Sequence, residues 1–124
     1  MTALAEYIKL YDSIRNTPMY KDAFFFKFWI LCMFETLEKP TNVHTPWQRI
    51  TLQPGQFEID SRSWLLKYNR GAALRHCLTW RQMWRYLKRL ERYGYITIQT
   101  HPHNHRTYHV VTVVNWAKFY KVDP

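Results

Sequence analysis

The sequence predicts an α+β domain in which helices come first and a β-hairpin comes last. Three observations predict it. A strongly basic, amphipathic helical stretch opens at Thr79, with Met83, Leu87 and Leu90 on one face and Tyr86 alongside. Gly94 then stands where a helix needs a left-handed C-cap residue. Immediately afterwards two β-branched runs, "YITIQT" (95–100) and "TYHVVTVVNW" (107–116), are joined by the polar "HPHNHR". Helices, then a basic helix, then a hairpin is the order of a winged helix-turn-helix domain, whose last helix enters a major groove with the hairpin as a flanking wing. The chain of 124 residues reads as one such domain, 1–124, with a recognition helix at 79–93 and a wing hairpin at 95–116.

The remaining elements follow in order. "ALAEYIKLYDSIRN" (3–16) spaces Leu4, Tyr7/Ile8, Tyr11 and Ile14 at steps of three and four, which predicts a helix with one apolar stripe. Pro18 breaks it. A second helix runs from an Asp22 cap through "AFFFKFWILCMFETL" to near Leu37; apolar on nearly every side, it is the expected centre of the core, with Phe25, Phe26, Phe28, Trp29 and Phe34 inside. Residues 38–46 read as a loop. "WQRITLQPGQFEID" (47–60) reads as two extended pieces around Gln53-Pro54-Gly55-Gln56, where proline second and glycine third suit a type II turn. Asp60 or Ser61 caps a helix that ends near Asn69-Arg70-Gly71, and "AALRHC" (72–77) is a short helical or irregular insert. Thr79 with Gln82 three residues on fits a capping box. Trp64, Trp116 and Phe119 are expected in the core, and "AKFYKVDP" as a tail.

Charge is divided unevenly. Residues 1–60 hold six Lys/Arg against seven Asp/Glu; residues 61–124 hold twelve against two, Glu91 and Asp123. One side of the domain is therefore strongly positive, which favours nucleic acid or another acidic partner. Charge alone does not separate DNA from RNA. The most apolar run, 23–34, is too short for a membrane span and contains Lys27, so no membrane partner is expected. No secretory pattern opens the chain, and Cys32 and Cys77 make neither a disulfide framework nor a metal-ligand spacing; a cytoplasmic protein with reduced thiols is the expectation. No phosphate loop, nucleophile elbow or paired carboxylates suggest an enzyme.

"YIKLYDSIRN", "ITLQPGQFEIDSR", "YLKRLERYGYITIQT" and "VVTVVNWAKFY" resemble the N-terminal winged-helix domain of phage replication initiation proteins and DnaD-like replisome organisers. The resemblance covers roughly residues 7–120. Its most specific pieces are Gly55-Gln56-Phe57 leading into Ser61-Arg62, and Thr112-Val113-Val114-Asn115-Trp116. It implies a DNA-related role, phage or mobile-element replication initiation on duplex DNA, and no catalytic chemistry. A transcriptional repressor of the same fold is one alternative. Another is a small interaction or inhibitor protein whose basic, Trp-rich face meets a protein or nucleoprotein.

The candidate contacts follow from that reading. The winged-helix resemblance implies that the first-turn residues of the basic helix, Trp80, Arg81 and Gln82, face base edges, with Arg85 one turn on; arginine pairs with guanine and glutamine with adenine. Lys88 shares that face, and Arg89 and Arg92 lie further along, where phosphate contacts position a protein without reading sequence. Trp84 sits one turn from Trp80, off the aliphatic stripe; the pair covers the 72–77 insert, forms a partner or homodimer surface, or stacks on bases of single-stranded DNA. Arg62, at a helix N-terminus, is a backbone contact. In the wing His103, His105 and Arg106 lie over phosphate or minor groove. His101, His103 and His105 alternate, but no cysteine or carboxylate joins them, and neither metal nor cofactor is expected.

Overall fold

The computed structural model describes residues 6–8, 12–36, 41–44, 49–103, 106–116 and 120–122, with the side chains of 12–36, 51–101 and 109–116. It is α+β, with three α-helices and a three-stranded antiparallel sheet among the described residues.

Helix α1 (Ala23–Glu35) starts because the Asp22 carboxylate accepts the N–H groups of Phe24 and Phe25, at 3.0 and 3.2 Å. Its buried residues are Phe25, Phe28, Trp29, Cys32 and Met33, one stripe at steps of three and four. Phe34 was expected inside and is instead 64% exposed. At 100° per residue it falls directly opposite Phe25, so a helix apolar all round still has an outer side. Phe26 is half-buried, its ring edge-on to Tyr20 at 5.9 Å.

The strand β4 (Gln56–Ile59) points Phe57 and Ile59 inward, and Gly55 (φ +84°) makes the turn before it. Helix α2 (Ser61–Asn69) follows, capped by Asp60, whose carboxylate accepts the Ser63 N–H at 2.8 Å. It buries Trp64 and Tyr68. Gly71 (φ +75°) ends it, and residues 74–76 form a 3-10 turn. Helix α3 (Trp80–Arg92) has the full capping box: Thr79 Oγ1 accepts from Gln82 N, and Gln82 Oε1 accepts from Thr79 N. Met83, Leu87 and Leu90 are wholly buried beneath it.

Strands β5 (Ile96–His103) and β6 (Arg106–Val113) form the hairpin, paired from Ile96↔Val113 to His103↔Arg106. Strand β4 joins the other edge of β6, giving the order β4-β6-β5. Side chains alternate across a sheet. The core face therefore carries cross-strand rows of Phe57, Val111 and Ile98, and of Ile59, His109 and Thr100. Trp116 is half-buried, and its Nε1 donates to the buried Thr36 hydroxyl at 2.9 Å; that hydroxyl in turn donates to Met33 O at 2.7 Å.

Three expectations are corrected at the margins. The stretch expected as a helix at 3–16 contains β1 (Glu6–Ile8) and a 3-10 helix, Asp12–Asn16. The expected tail contains β7 (Tyr120–Val122), which pairs antiparallel with β1. The expected loop at 38–46 contains β2 (Thr41–His44), paired with β3 (Arg49–Leu52). In each case a ladder between segments satisfies backbone groups that side-chain periodicity leaves undecided. Phe119 lies outside the described residues.

Candidate nucleic-acid interface

The core contact of α3 decides what its other faces can do. Opposite Met83, Leu87 and Leu90, the helix turn brings Arg81, Arg85, Lys88 and Arg92 into a strip about 60° wide and ~16 Å long. All four are exposed. Among the described residues neither Arg81 nor Arg85 has an ion-pair partner. Lys88 shares its charge with Glu91 at 2.6 Å, and the Arg92 guanidinium lies 5.9 Å from the Tyr93 ring. Helix dipole and sequence agree here: basic Arg89 and Arg92 occupy the last turn.

The two flanks of α3 are built for packing. On one, the Arg89 guanidinium lies 4.5 Å from the centre of the Phe25 ring and 5.9 Å from that of Tyr86. Tyr86 itself stacks on Phe25 (4.7 Å) and donates to the Asp22 carboxylate at 3.1 Å, tying α3 to the cap of α1. Burial and that hydrogen bond push the Tyr86 phenol up to about 12. On the other flank Trp84 lies against His109 of β6 at 4.7 Å and Trp80 against Trp84 at 6.0 Å; both indoles are half-buried on the core. Trp84 therefore closes the end of the core over the Ile59–His109–Thr100 row. Gln82 is exposed, but its side-chain oxygen is engaged by the N-cap amide.

Of the wing residues, His103 and Arg106 are paired in the last rung of the hairpin, with only their backbone described; His105 lies outside the described residues. Arg62 is exposed in the first turn of α2, next to the Asp60 carboxylate that caps it. Among the described residues no group of three or more His, Cys, Asp or Glu is placed to hold a metal ion, and no helix is long and apolar enough to cross a membrane. Cys32 is buried, and burial followed by Glu35 raises its pKa, so it stays a thiol.

Sequence reasoning missed two features. One is the Asn69 side chain, which accepts from Leu78 N (2.8 Å) and donates to Leu78 O (2.9 Å), clamping the insert shut at its base. Only an asparagine before a glycine-containing break hinted at it. The other is His109. Burial, then the nearby Lys88, lower its pKa from the ordinary value, and Thr100 Oγ1 lies 3.0 Å from its Nδ1. The fold thus prefers the neutral ring. The corresponding stability is complete above the unfolded value of about 6.5 and is lost as pH falls through the lowered folded pKa. Thermal unfolding should show a larger drop in midpoint between about pH 7.5 and about pH 5 for wild type than for His109→Gln. Equal drops would place the acid sensitivity elsewhere.

No family model, no curated protein and no solved structure matches this chain.

Proposed function

We propose that this chain is a winged helix-turn-helix protein that binds duplex DNA through α3, with the β5–β6 hairpin as wing. The observation that carries this is the strip of Arg81, Arg85, Lys88 and Arg92, exposed on the helix face opposite a fully buried Met83-Leu87-Leu90 stripe. A solvated helix face ordinarily mixes signs, whereas this strip holds cations alone. Strand order supports the same reading. A strand ahead of the helix pair, hydrogen-bonded to the far strand of the hairpin, gives a wing a rigid base beside the last helix. The resemblance to replication initiation proteins makes phage or mobile-element replication initiation the proposed setting.

The roles divide by geometry. Arg81 and Arg85, nearest the N-terminal end of the strip, are placed to meet base edges while each also neutralises a phosphate of the groove it enters. Lys88 and Arg92 contact phosphates alone. Trp80, Trp84 and Arg89 act at one remove, by setting the helix on the sheet and on α1.

Titration of a labelled duplex and a labelled single strand, at about 50 mM and about 200 mM salt, tests this. Four cations displacing one counterion each give a log–log slope of roughly −3 to −4, or about a hundredfold loss over that range. Arg81→Ala/Arg85→Ala should reduce the slope to about −2 and bind duplex more weakly at both salts. An unchanged slope in the double variant, or no duplex binding by wild type, would overturn the proposal. Tighter single-strand than duplex binding would also count against it.

A further inference from the structure

We infer that Leu74 is an apolar wedge that enters the DNA at a base step from the minor groove, while α3 occupies the neighbouring major groove. This rests on the duplex-binding reading above. Single exposed leucines are ordinary on protein surfaces. This one differs in how it is held and in what surrounds it.

Leu74 is 90% exposed, the most exposed of the large apolar side chains among the described residues. It does not stand on a loose loop. Ala72 N donates to Asn69 O, His76 N to Ala73 O and Cys77 N to Leu74 O, at 2.8 to 3.2 Å. The Asn69 clamp on both polar groups of Leu78 closes the base of this segment, and Leu78 is itself buried. His76 lies beside the half-buried Phe24 of α1, ring centres 6.1 Å apart, so the 3-10 turn has a side contact with α1. A projecting leucine on a braced turn loses little freedom on entering a stack of bases, which is what a wedge requires.

The surroundings select a polyanion over an apolar protein pocket. From Ser61 to Leu90 the chain carries eight Lys/Arg and no Asp or Glu. Arg70 and Arg75 flank Leu74, and both are exposed. An apolar tip between cations matches the known way of kinking a duplex, in which the side chain unstacks one step and the cations hold the adjoining phosphates. Distance also fits. Four residues lie between Leu74 and Thr79, so their Cα atoms are at most ~18 Å apart, a span of no more than about five base pairs along a duplex that touches Arg81.

The test compares wild type, Leu74→Ala and Leu74→Phe on a duplex labelled at both ends for energy transfer, with 2-aminopurine at successive steps. All three should fold alike, because the side chain is exposed; a thermal melt checks this. Wild type should bend the duplex and raise 2-aminopurine fluorescence at one step. Leu74→Ala should bind roughly ten- to a hundredfold more weakly, the equivalent of one leucine side chain left unburied. It should lose the bend and the fluorescence rise, yet keep the salt slope. Leu74→Phe should retain both signals. If Leu74→Ala binds and bends like wild type, Leu74 is no wedge although duplex binding stands. If wild type shows no salt-dependent duplex binding, the underlying reading fails first, and an apolar protein partner for Leu74 replaces this one.

Discussion

Gly55→Ala should destabilise the protein by about 3 kcal/mol, the sum of a left-handed backbone penalty of ~1–2 and an overpacking cost of ~1–3. Gly55 has φ +84°, and a Cβ there would come within 2.9 Å of both Cβ and Cγ of Trp116. The Trp116 Cβ is fixed by its own backbone, so no rotation of the side chain moves it out of the way. Nor is the indole loose, since its Nε1 donates to Thr36. On the other side of the turn Gly55 O accepts from Val113 N at 3.0 Å, and Gln56 Nε2 donates to Thr112 Oγ1, which fixes the turn to β6. Gly71→Ala supplies the comparison: it has φ +75° but nothing within 4 Å of the added carbon, so only the backbone penalty applies. In urea unfolding, Gly55→Ala should lose at least 1 kcal/mol more than Gly71→Ala. Equal losses would mean that Trp116 yields and that the turn is not braced by it.

Trp64→Ala should cost about 3–5 kcal/mol, a large part of the stability of a domain this size. Trp64 is 0% exposed. Its indole is stacked on Phe57 of β4 at 5.2 Å and tilted against Phe28 of α1 at 5.6 Å. One side chain of α2 thereby joins the sheet to the central helix. Truncation removes both aromatic contacts and leaves a cavity that rigid elements on three sides fill poorly. Trp64→Phe keeps a ring between Phe28 and Phe57 and should lose clearly less. The measurement is the midpoint of thermal or urea unfolding, with a fall of roughly 10–25 °C expected for alanine. A loss under about 1 kcal/mol would show that α2 is held chiefly by other contacts, such as Lys27 Nζ on Tyr68 O (2.7 Å) and Tyr68 OH on Phe24 O (3.0 Å).

Elements with a local chemical signature were legible in the sequence. Asp22, Asp60 and the Thr79–Gln82 pair cap their helices where expected, and Gly55, Gly71 and Gly94 take the left-handed conformations that turns and helix ends demand. Elements defined by a distant partner were not. Tyr7 and Ile8 fit a helical period with Tyr11 and Ile14, yet residues 6–8 are extended because residues 120–122 lie alongside them. A short strand of that kind carries no period of its own. Phe34 shows the complementary failure, since hydrophobicity alone does not say which side of an apolar helix the core occupies.

The candidate interface divides in the same way. Wheel geometry alone separates Arg81, Arg85, Lys88 and Arg92 from the buried stripe, and the structure keeps all four exposed. Arg89 is set apart from them by Phe25 and Tyr86, neighbours that only the tertiary fold supplies. The Trp84–His109 contact was hidden for the same reason, because it depends on β6 register 25 residues away in sequence.

The pairing of β1 with β7 has a topological consequence. Glu6 sits opposite Val122, which places those two backbone positions about 5 Å apart. A linker of a few residues could therefore join Val122 to Glu6 directly. New ends opened at an exposed turn such as 93–94 would then leave every strand pairing among the described residues in place while moving the points of attachment to the foot of α3. Whatever is fused there would leave the molecule beside the basic strip, whereas anything joined before β1 or after β7 leaves from the β1–β7 ladder.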